Sequence, residues 1–440
     1  MNVADQVKSR ASRKYSYRAI TAGAVGNFIE FYDAALYTLL APVFAQQFFP
    51  VSDKALSLLY TYGAVVAVSF VIRPIATVLI SPIGDRYGRR RLLALTLLIM
   101  AGGLSLIAAT PDYRTIGVFA PVLLVIGRIA QNISNSGEYQ AAASFMVEHA
   151  PPHRRATVGS LQAASAALGI LCATSTVSLL TLILPHDRLV AWGWRVPFVI
   201  GALLCLVGVH LRRHVPESPL FETLAERGRI DPHPLRTTVG RHKASVLLVV
   251  VQQISQVGFF TWQVFLPTYA NLVGGLPLAT GLQLNVVALA VFTLALPLTG
   301  MLSDRIGRKP LVIAESVGLA ICACPLLSLL NSPTPATYLF VAITGNLLLA
   351  LSHGSTAALF CELFPTGVRA SGIGVPYNMA TVAFGGSAPI LATWSISRHH
   401  PLFLAYYITA VEVVAALVFL FVLRETRWRS LDAIPEGQAR

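Results

Sequence analysis

Glu30 and Asp33 stand three residues apart inside an apolar run from about Ala19 to Phe48. On a helix that spacing places both carboxylates on one face. An unpaired charge in hydrocarbon costs several kcal/mol, about 2.5–3.5 by insertion scales, so the pair needs a partner, a proton or water. The chemistry open to it is reversible proton binding. Arg128 is the counter-charge of matching depth: at 1.5 Å per residue Asp33 lies roughly 21 Å, and Arg128 roughly 27 Å, from the same side of their runs. The expectation is that Arg128 faces Asp33 or Glu30 across a cavity. Arg73 and Glu138, roughly 10 and 12 Å deep by the same measure, form a second candidate pair. A carboxylate beside an arginine stays ionised until a proton or another anion competes for the guanidinium.

The elements that must carry these charges follow from composition. Of 440 residues, 55% are hydrophobic and only 12% are charged, against about 25% in soluble domains. Such a chain cannot hide its apolar side chains in soluble cores, and it reads as a polytopic membrane protein. Twelve apolar segments are long enough to span, at roughly 19–48, 57–80, 92–110, 117–146, 157–184, 194–211, 244–272, 280–301, 310–331, 336–360, 370–397 and 402–423. The polar segment His214–Lys243 divides them six and six. The expected organisation is a tail over 1–18, a six-helix bundle over 19–211, a linker over 212–243, a second bundle over 244–423 and a tail over 424–440.

Orientation follows from the basic residues. With the N-terminus in the cytoplasm, 26 of the 33 Lys and Arg fall in cytoplasmic segments and 5 on the other side, with Arg73 and Arg128 inside spans. Both termini are therefore expected inside, and the net charge of +13 reads as positive-inside bias, not as a nucleic-acid surface. The first 18 residues are polar and basic, unlike a cleavable signal. The five cysteines lie in or at the ends of apolar runs, with no metal or disulfide spacing. No Gly-rich phosphate loop precedes a lysine.

The two halves repeat each other. Gly84-Asp85-Arg86-Tyr87-Gly88-Arg89-Arg90 follows the second span, and Ser303-Asp304-Arg305-Ile306-Gly307-Arg308-Lys309 follows the eighth, 219 residues later. Glu148-x-x-Pro151-x-x-x-Arg155 after the fourth span recurs as Glu362-x-x-Pro365-x-x-x-Arg369 after the tenth. Gly88 and Gly307 permit tight turns. Asp85 and Asp304 can cap a helix or accept from Arg, while Arg89 and Arg308 can pair with acids or helix C-termini. With Arg86 and Arg305 these residues are a candidate cytoplasmic gate, and the doubled plan puts a ligand site between the repeats near mid-membrane.

These loops resemble the signature of the major facilitator superfamily. Gly26-Asn27-x-x-Glu30-x-x-Asp33, Arg73-Pro74-Ile75, Gly127-Arg128-x-x-Gln131, Gly137-Glu138-Tyr139, Trp192-Gly193-Trp194-Arg195-x-Pro197-Phe198, and Tyr377-Asn378 with Phe384-Gly385-Gly386-x-x-Pro389 resemble its metabolite:proton symporter subfamily. Members of that subfamily carry proline and betaine, α-ketoglutarate, citrate, shikimate and related solutes in bacteria. Two features depart from it: Asn132–Ser136 replaces two usual glycines, and Ala34-Ala35 stands where an aromatic is usual. The resemblance implies an all-α polytopic membrane protein with twelve transmembrane helices in two six-helix pseudo-repeats, a monomer in the bacterial inner membrane. It implies a proton-coupled symporter importing a small polar, carboxylate-bearing metabolite, with the proton as coupling ion and no cofactor; a proton-driven exporter is the alternative. A solute receptor and an enzyme are disfavoured, since neither a signalling tail nor a catalytic constellation is visible.

In this reading Glu30, Asp33 and Arg128 couple protons. Tyr32, Arg128, Gln131, Glu138 and Arg73 contribute to substrate binding from the first half, and Gln252, Gln256, Tyr377 and Asn378 from the second. Gln252 and Gln256 share a helix face at i, i+4, with Gln253 between them. Trp262 and Tyr269 read as an interfacial aromatic belt or as a cation–π wall. His353 reads as a packed hydrogen-bonding residue. Glu412 in the twelfth span has no partner visible in the sequence.

Overall fold

The structure is a computed structural model. It describes residues 3–50, 56–63, 68, 72, 75–76, 89–136, 143–144, 146–148, 150–212, 240, 242–365, 369–385, 387–427, 429 and 431. Arg73, Asp85, Arg86 and Glu138 lie outside the described residues, as do Gly88 and most of the 212–243 linker; Arg89 is described by its backbone alone.

Every regular element among the described residues is helical. Hydrocarbon offers no partner to backbone N–H and C=O groups, and a helix satisfies them internally. The main helices are α1 (Val3–Phe48), α2 (Arg89–Ala109), α3 (Phe119–Asn135), α4 (Arg155–Ile183), α5 (Val196–Arg212), α6 (Lys243–Ile254), α7 (Gln256–Phe260), α8 (Leu266–Gly274), α9 (Leu278–Ile306), α10 (Lys309–Ser328), α11 (Pro335–Leu363), α12 (Arg369–Ala380), α13 (Ser387–Ser397) and α14 (Phe403–Phe421). Eight stretches among the described residues are long and apolar enough to cross a membrane: Gly23–Phe48, Pro152–Ile183, Gly193–His210, Lys243–Gly274, Leu278–Ile306, Lys309–Asn331, Pro335–Leu363 and Phe403–Phe421.

The seventh apolar segment, expected as one helix, is broken at Ser255 and again by a π-turn at Thr261–Phe265. The second break has a local cause. Pro267 has no N–H to return to the carbonyl of Gln263, four residues earlier, and that oxygen instead accepts from Asn285 Nδ2 at 3.1 Å. The eleventh segment repeats the device, with a π-turn at Thr381–Gly385 and Pro389 four residues beyond it. Turns of this kind concentrate at functional sites.

Without a hydrophobic force between helices in lipid, close approach and interhelical hydrogen bonds hold the bundle. α1 packs along α4 and α5, α2 along α3 and α5, α4 along α9, α9 along α11, and α10 along α14. Gly169 shows how tightly α4 meets α1: a Cβ there would stand 2.3 Å from the Phe28 carbonyl oxygen. At Gly300, on α9, it would stand 2.8 Å from the Ala156 carbonyl on α4. Asn27 adds a polar clasp, its Nδ2 donating to Gln162 O at 2.8 Å and Ser165 Oγ at 2.9 Å while its Oδ1 accepts from Gln162 Nε2 at 3.1 Å. At the far end from Arg308, Trp194 is fully buried against Phe44, Phe48 and Phe198, with its Nε1 donating to Gln47.

Trp262 and Tyr269 are fully buried, neither a lipid-facing belt nor a cavity wall. Trp262 Nε1 donates to Val341 O at 3.0 Å, and the Tyr269 hydroxyl to Pro401 O at 3.0 Å. Each polar tip is taken by a backbone carbonyl of the protein, Val341 within α11 and Pro401 in the turn before α14.

Candidate functional site

Three side chains of α1 and α3 make a buried relay. Arg128 Nη1 donates to Gln131 Oε1 at 2.6 Å, and Gln131 Nε2 donates to Asp33 Oδ1 at 2.6 Å. Arg128 and Gln131 are three residues apart on one helix face, and that face turns towards α1. Asp33 and Gln131 are wholly buried, and Glu30 and Arg128 are 7% exposed. The expected direct approach of Arg128 to Asp33 or Glu30 is thus replaced by an amide bridge. The guanidinium carbon lies 4.8 Å from the centre of the Tyr37 ring, in cation–π contact.

Tyr32 does not join this group. Its ring lies on the side of α1 that faces α5, where the hydroxyl donates to Pro197 O at 3.2 Å. Its neighbour Phe31 takes the inward position instead, lining a central cavity with Gln162 of α4. The opposite wall holds Gln252, Gln253, Gln256 and Phe259 of the broken seventh segment, together with Phe292, His353, Thr356 and Tyr377. Gln252 and Gln256 therefore meet Tyr377 as expected. Asn378 does not line the cavity; its Nδ2 donates to Ser136 O at 3.2 Å and Gly374 O at 2.9 Å, tying the eleventh segment to the end of α3.

The cavity's polar groups are positioned by a second layer. Gln252 Nε2 donates to Ser352 Oγ at 3.3 Å, and Gln253 Oε1 accepts from Thr381 Oγ1 at 2.9 Å, at the π-turn. The His353 ring stacks on Phe259 at 4.9 Å. Its Nδ1 lies 2.9 Å from Leu349 O and must donate there, which leaves Nε2 as an acceptor 3.5 Å from Gln256 Nε2. The lining thus offers amides, hydroxyls, an imidazole and aromatic faces and, among the described residues, no carboxylate or guanidinium.

The repeated charge motifs meet at the Arg308 end of the bundle. Asp304 caps α4: its carboxylate accepts from the backbone N–H groups of Ala156 and Thr157, at 3.0 and 2.8 Å, and from Thr157 Oγ1 at 2.7 Å. It also accepts from Arg308 Nη1 at 3.1 Å, so both roles expected of it occur together. Arg308 grips Glu362 through two bonds, Nε at 3.2 Å and Nη2 at 3.0 Å. Arg155 approaches Glu362 at 3.9 Å, and Arg369 is ion-paired with Glu148. The two Glu-x-x-Pro-x-x-x-Arg segments therefore exchange partners, each arginine taking the other segment's glutamate. Arg305 is exposed and contributes only its carbonyl, which accepts from Arg427.

The segment after α14, expected as a tail, straps this cluster. Glu425 accepts from the backbone N–H groups of Arg308 and Lys309, at 3.0 and 3.1 Å. Thr426 Oγ1 donates to Glu362 at 2.7 Å, and Arg155 and Arg369 donate to the carbonyls of Arg429 and Leu431. Half-burial works against the charge of Glu425, but the N–H groups of Arg308, Arg427, Lys309 and Thr426 together hold its carboxyl below the usual carboxylate range.

Two further acids were not assigned a place by the sequence. Glu315 on α10 and Glu412 on α14 are wholly buried and meet at the hydroxyl of Ser255. The only signal available was the presence of a carboxylate in each of two apolar segments, which does not say that they touch.

Residues 23–388 match the family model of the Major Facilitator Superfamily. The chain is 33% identical over 421 residues to the inner membrane metabolite transport protein YhjE of Escherichia coli, covering 94% of this chain and 95% of that protein. It is 30% identical over 420 residues to the glycine betaine/proline/ectoine/pipecolic acid transporter OusA of Dickeya dadantii, covering 93% and 83%. In structure it is similar to the proton:xylose symporter XylE bound to 6-bromo-6-deoxy-D-glucose, with a TM-score of 0.76 at 20% identity over 96% of this chain and 98% of that one. It is likewise similar to a partially occluded inward-open conformation of XylE from E. coli, with a TM-score of 0.75 at 20% identity over 95% and 100%. At that identity the likeness is one of fold. The chain is a multi-pass transporter of the bacterial inner membrane, not an enzyme, and it belongs to the major facilitator superfamily, among the metabolite:proton symporters.

Proposed function

We propose that the protein imports a small polar, carboxylate-bearing metabolite together with a proton, by alternating access between two six-helix halves spanning 19–211 and 244–423, with both termini cytoplasmic. The observation that carries the reading is the Asp33–Gln131–Arg128 relay, a buried carboxylate held by an amide that is itself held by a guanidinium. With Asp33 ionised, Gln131 is oriented at both ends and the relay locks α1 to α3. A proton on Asp33 removes the charge that the amide serves, and the helices are then free to move relative to each other. In this scheme Glu30, on the same face, is the second carrier, and Arg128 sets when Asp33 accepts its proton.

Substrate recognition falls to the central cavity. The described walls carry no counter-charge, and a net charge buried against them costs several kcal/mol, so the amide and aromatic lining suits a zwitterion better than a di- or tricarboxylate. Carboxylate oxygens would accept from Gln252, Gln253 and Gln256, and a quaternary or secondary ammonium would lie against Phe31, Phe259 or Tyr377. Glycine betaine and proline, named for the Dickeya relative, have this chemistry. The gate is formed by Asp304, Arg308 and Glu362 with Arg155, Arg369 and Glu148; Arg305 stands outside it.

The test is uptake in proteoliposomes. Betaine and proline should accumulate under an inward proton gradient in the wild type. Asp33→Asn should lose accumulation but keep betaine exchange across equal concentrations, because the cavity is intact and only the proton is lost. Accumulation by Asp33→Asn equal to the wild type would refute the coupling role. Transport of dicarboxylates in preference to betaine would refute the zwitterion reading.

A further inference from the structure

Glu315 and Glu412 are the most deeply buried carboxyls in the second half that no cation holds. Both are wholly buried, one on α10 and one on α14. Ser255 Oγ stands 3.4 Å from Glu315 Oε2 and 3.2 Å from Glu412 Oε2. Ser316 Oγ adds a contact at 3.4 Å to Glu315 Oε2. Among the described residues, Oε1 of each glutamate has no hydrogen-bond partner. The charged and titratable groups on the elements packed against them are Lys309, Cys322 and Cys324 on α10, Tyr338, His353, Cys361 and Glu362 on α11, Lys243 on α6, and Tyr406 and Tyr407 on α14. None makes an ion pair with either glutamate among the described residues. His353 is turned to Gln256, and Lys309 Nζ donates to Leu420 O.

Charge decides what the site holds. An ionised carboxylate only accepts, and a serine hydroxyl has a single hydrogen to give. Ser255 can therefore serve one of the two carboxylates, and Ser316 can donate to Glu315, which leaves both negative charges in place. Two like charges in a buried site without a cation do not both persist. If one glutamate is protonated, the count closes: its O–H donates to Ser255 Oγ, and the Ser255 O–H donates to the other.

We propose that Glu315, Ser255 and Glu412 form a second proton-binding site, in which two buried carboxyls share one proton through the serine hydroxyl. Ser255 sits at the first break of the seventh segment, between the cavity residues Gln252, Gln253 and Gln256. Any motion of that break on closing around a solute alters the bond that holds the proton. Ser352, which faces Glu315 and accepts from Gln252, gives a second contact between the site and the cavity. The site is separate from Asp33 and stands whether or not Asp33 carries the coupling proton.

The experiment is infrared spectroscopy of the purified full-length protein in lipid, in sodium-free buffer at neutral pH. The wild type should show the carbonyl band of a buried protonated carboxylic acid that persists in Asp33→Asn. Glu315→Gln/Glu412→Gln should lose it, and Ser255→Ala, which keeps both carboxyls, should shift it. A band unchanged in the double variant overturns the proposal. So does a band that Ser255→Ala leaves in place, which decides the matter even where the double variant fails to fold. Conversion of the band to carboxylate on adding sodium chloride at constant pH and ionic strength would make this a sodium site and overturn it as well.

Discussion

Arg369 is ion-paired with Glu148, which lies 221 residues earlier and in the other copy of its own motif. Arg369 is nearly fully buried, and Arg155 mirrors it by approaching Glu362. Charges exchanged in this way lock the Arg308 end of the bundle, and they must separate for that end to open. Removing one member of a buried pair costs about 3–5 kcal/mol. Arg369→Ala should therefore favour opening. A thiol placed by Gln256→Cys in a cysteine-free background should react with a reagent added from that side at least about ten times faster, since 1.4 kcal/mol is tenfold. An unchanged labelling rate would show that the pair does not gate.

Gln131 touches both Asp33 and Arg128. Gln131→Leu would keep the volume and strip the bridge, leaving two buried polar groups with one partner fewer each, at a cost of about 1–3 kcal/mol. The melting temperature should fall. The pH at which proton-driven uptake is half-maximal should move, while betaine exchange is retained. Loss of stability with an unaltered pH profile would mark Gln131 as structural glue.

The strap has a pH dependence of its own. Glu425 is held below its usual value near 4.5 by the backbone N–H groups it accepts from. A lowered carboxyl stabilises the docked form above its free value, and that stabilisation is lost as pH falls through the folded value. Docking should thus be constant around neutrality and weaken in acid below about pH 4.5. A nitroxide attached through Arg429→Cys should become more mobile in that range. Glu425→Gln, which carries no charge, should be mobile already at pH 7.

Gly307 turns between α9 and α10 with φ of +109°, and a Cβ there would stand 2.3 Å from Glu425 Oε2. Gly307→Ala should cost about 1–3 kcal/mol in backbone strain and also push the strap away. The same nitroxide should report release at pH 7, together with a lower melting temperature.

The apolar runs and the doubled charge motifs were legible because hydrocarbon forces long helices and because a repeated motif needs no tertiary knowledge to be seen. Asp304, Arg308, Gln252, Gln256 and Tyr377 fell where their patterns put them. Other residues needed packing to be known. Tyr32 and Phe31 differ by one position on α1, and only the rotation of that helix against α4 and α5 decides which faces the cavity. Depth arithmetic matched Arg128 to Asp33 but had no term for Gln131 reaching between them. Glu315 and Glu412 lie 97 residues apart, so their meeting depends on α10 packing along α14.

The exchanged pairs also speak to origin. A two-fold operation that carries Glu148 onto Glu362 carries Arg155 onto Arg369, and it turns each pair into the other. This is the isologous contact that two identical subunits make across a dyad. A chain built from two fused copies of one ancestral half retains it as an internal bond.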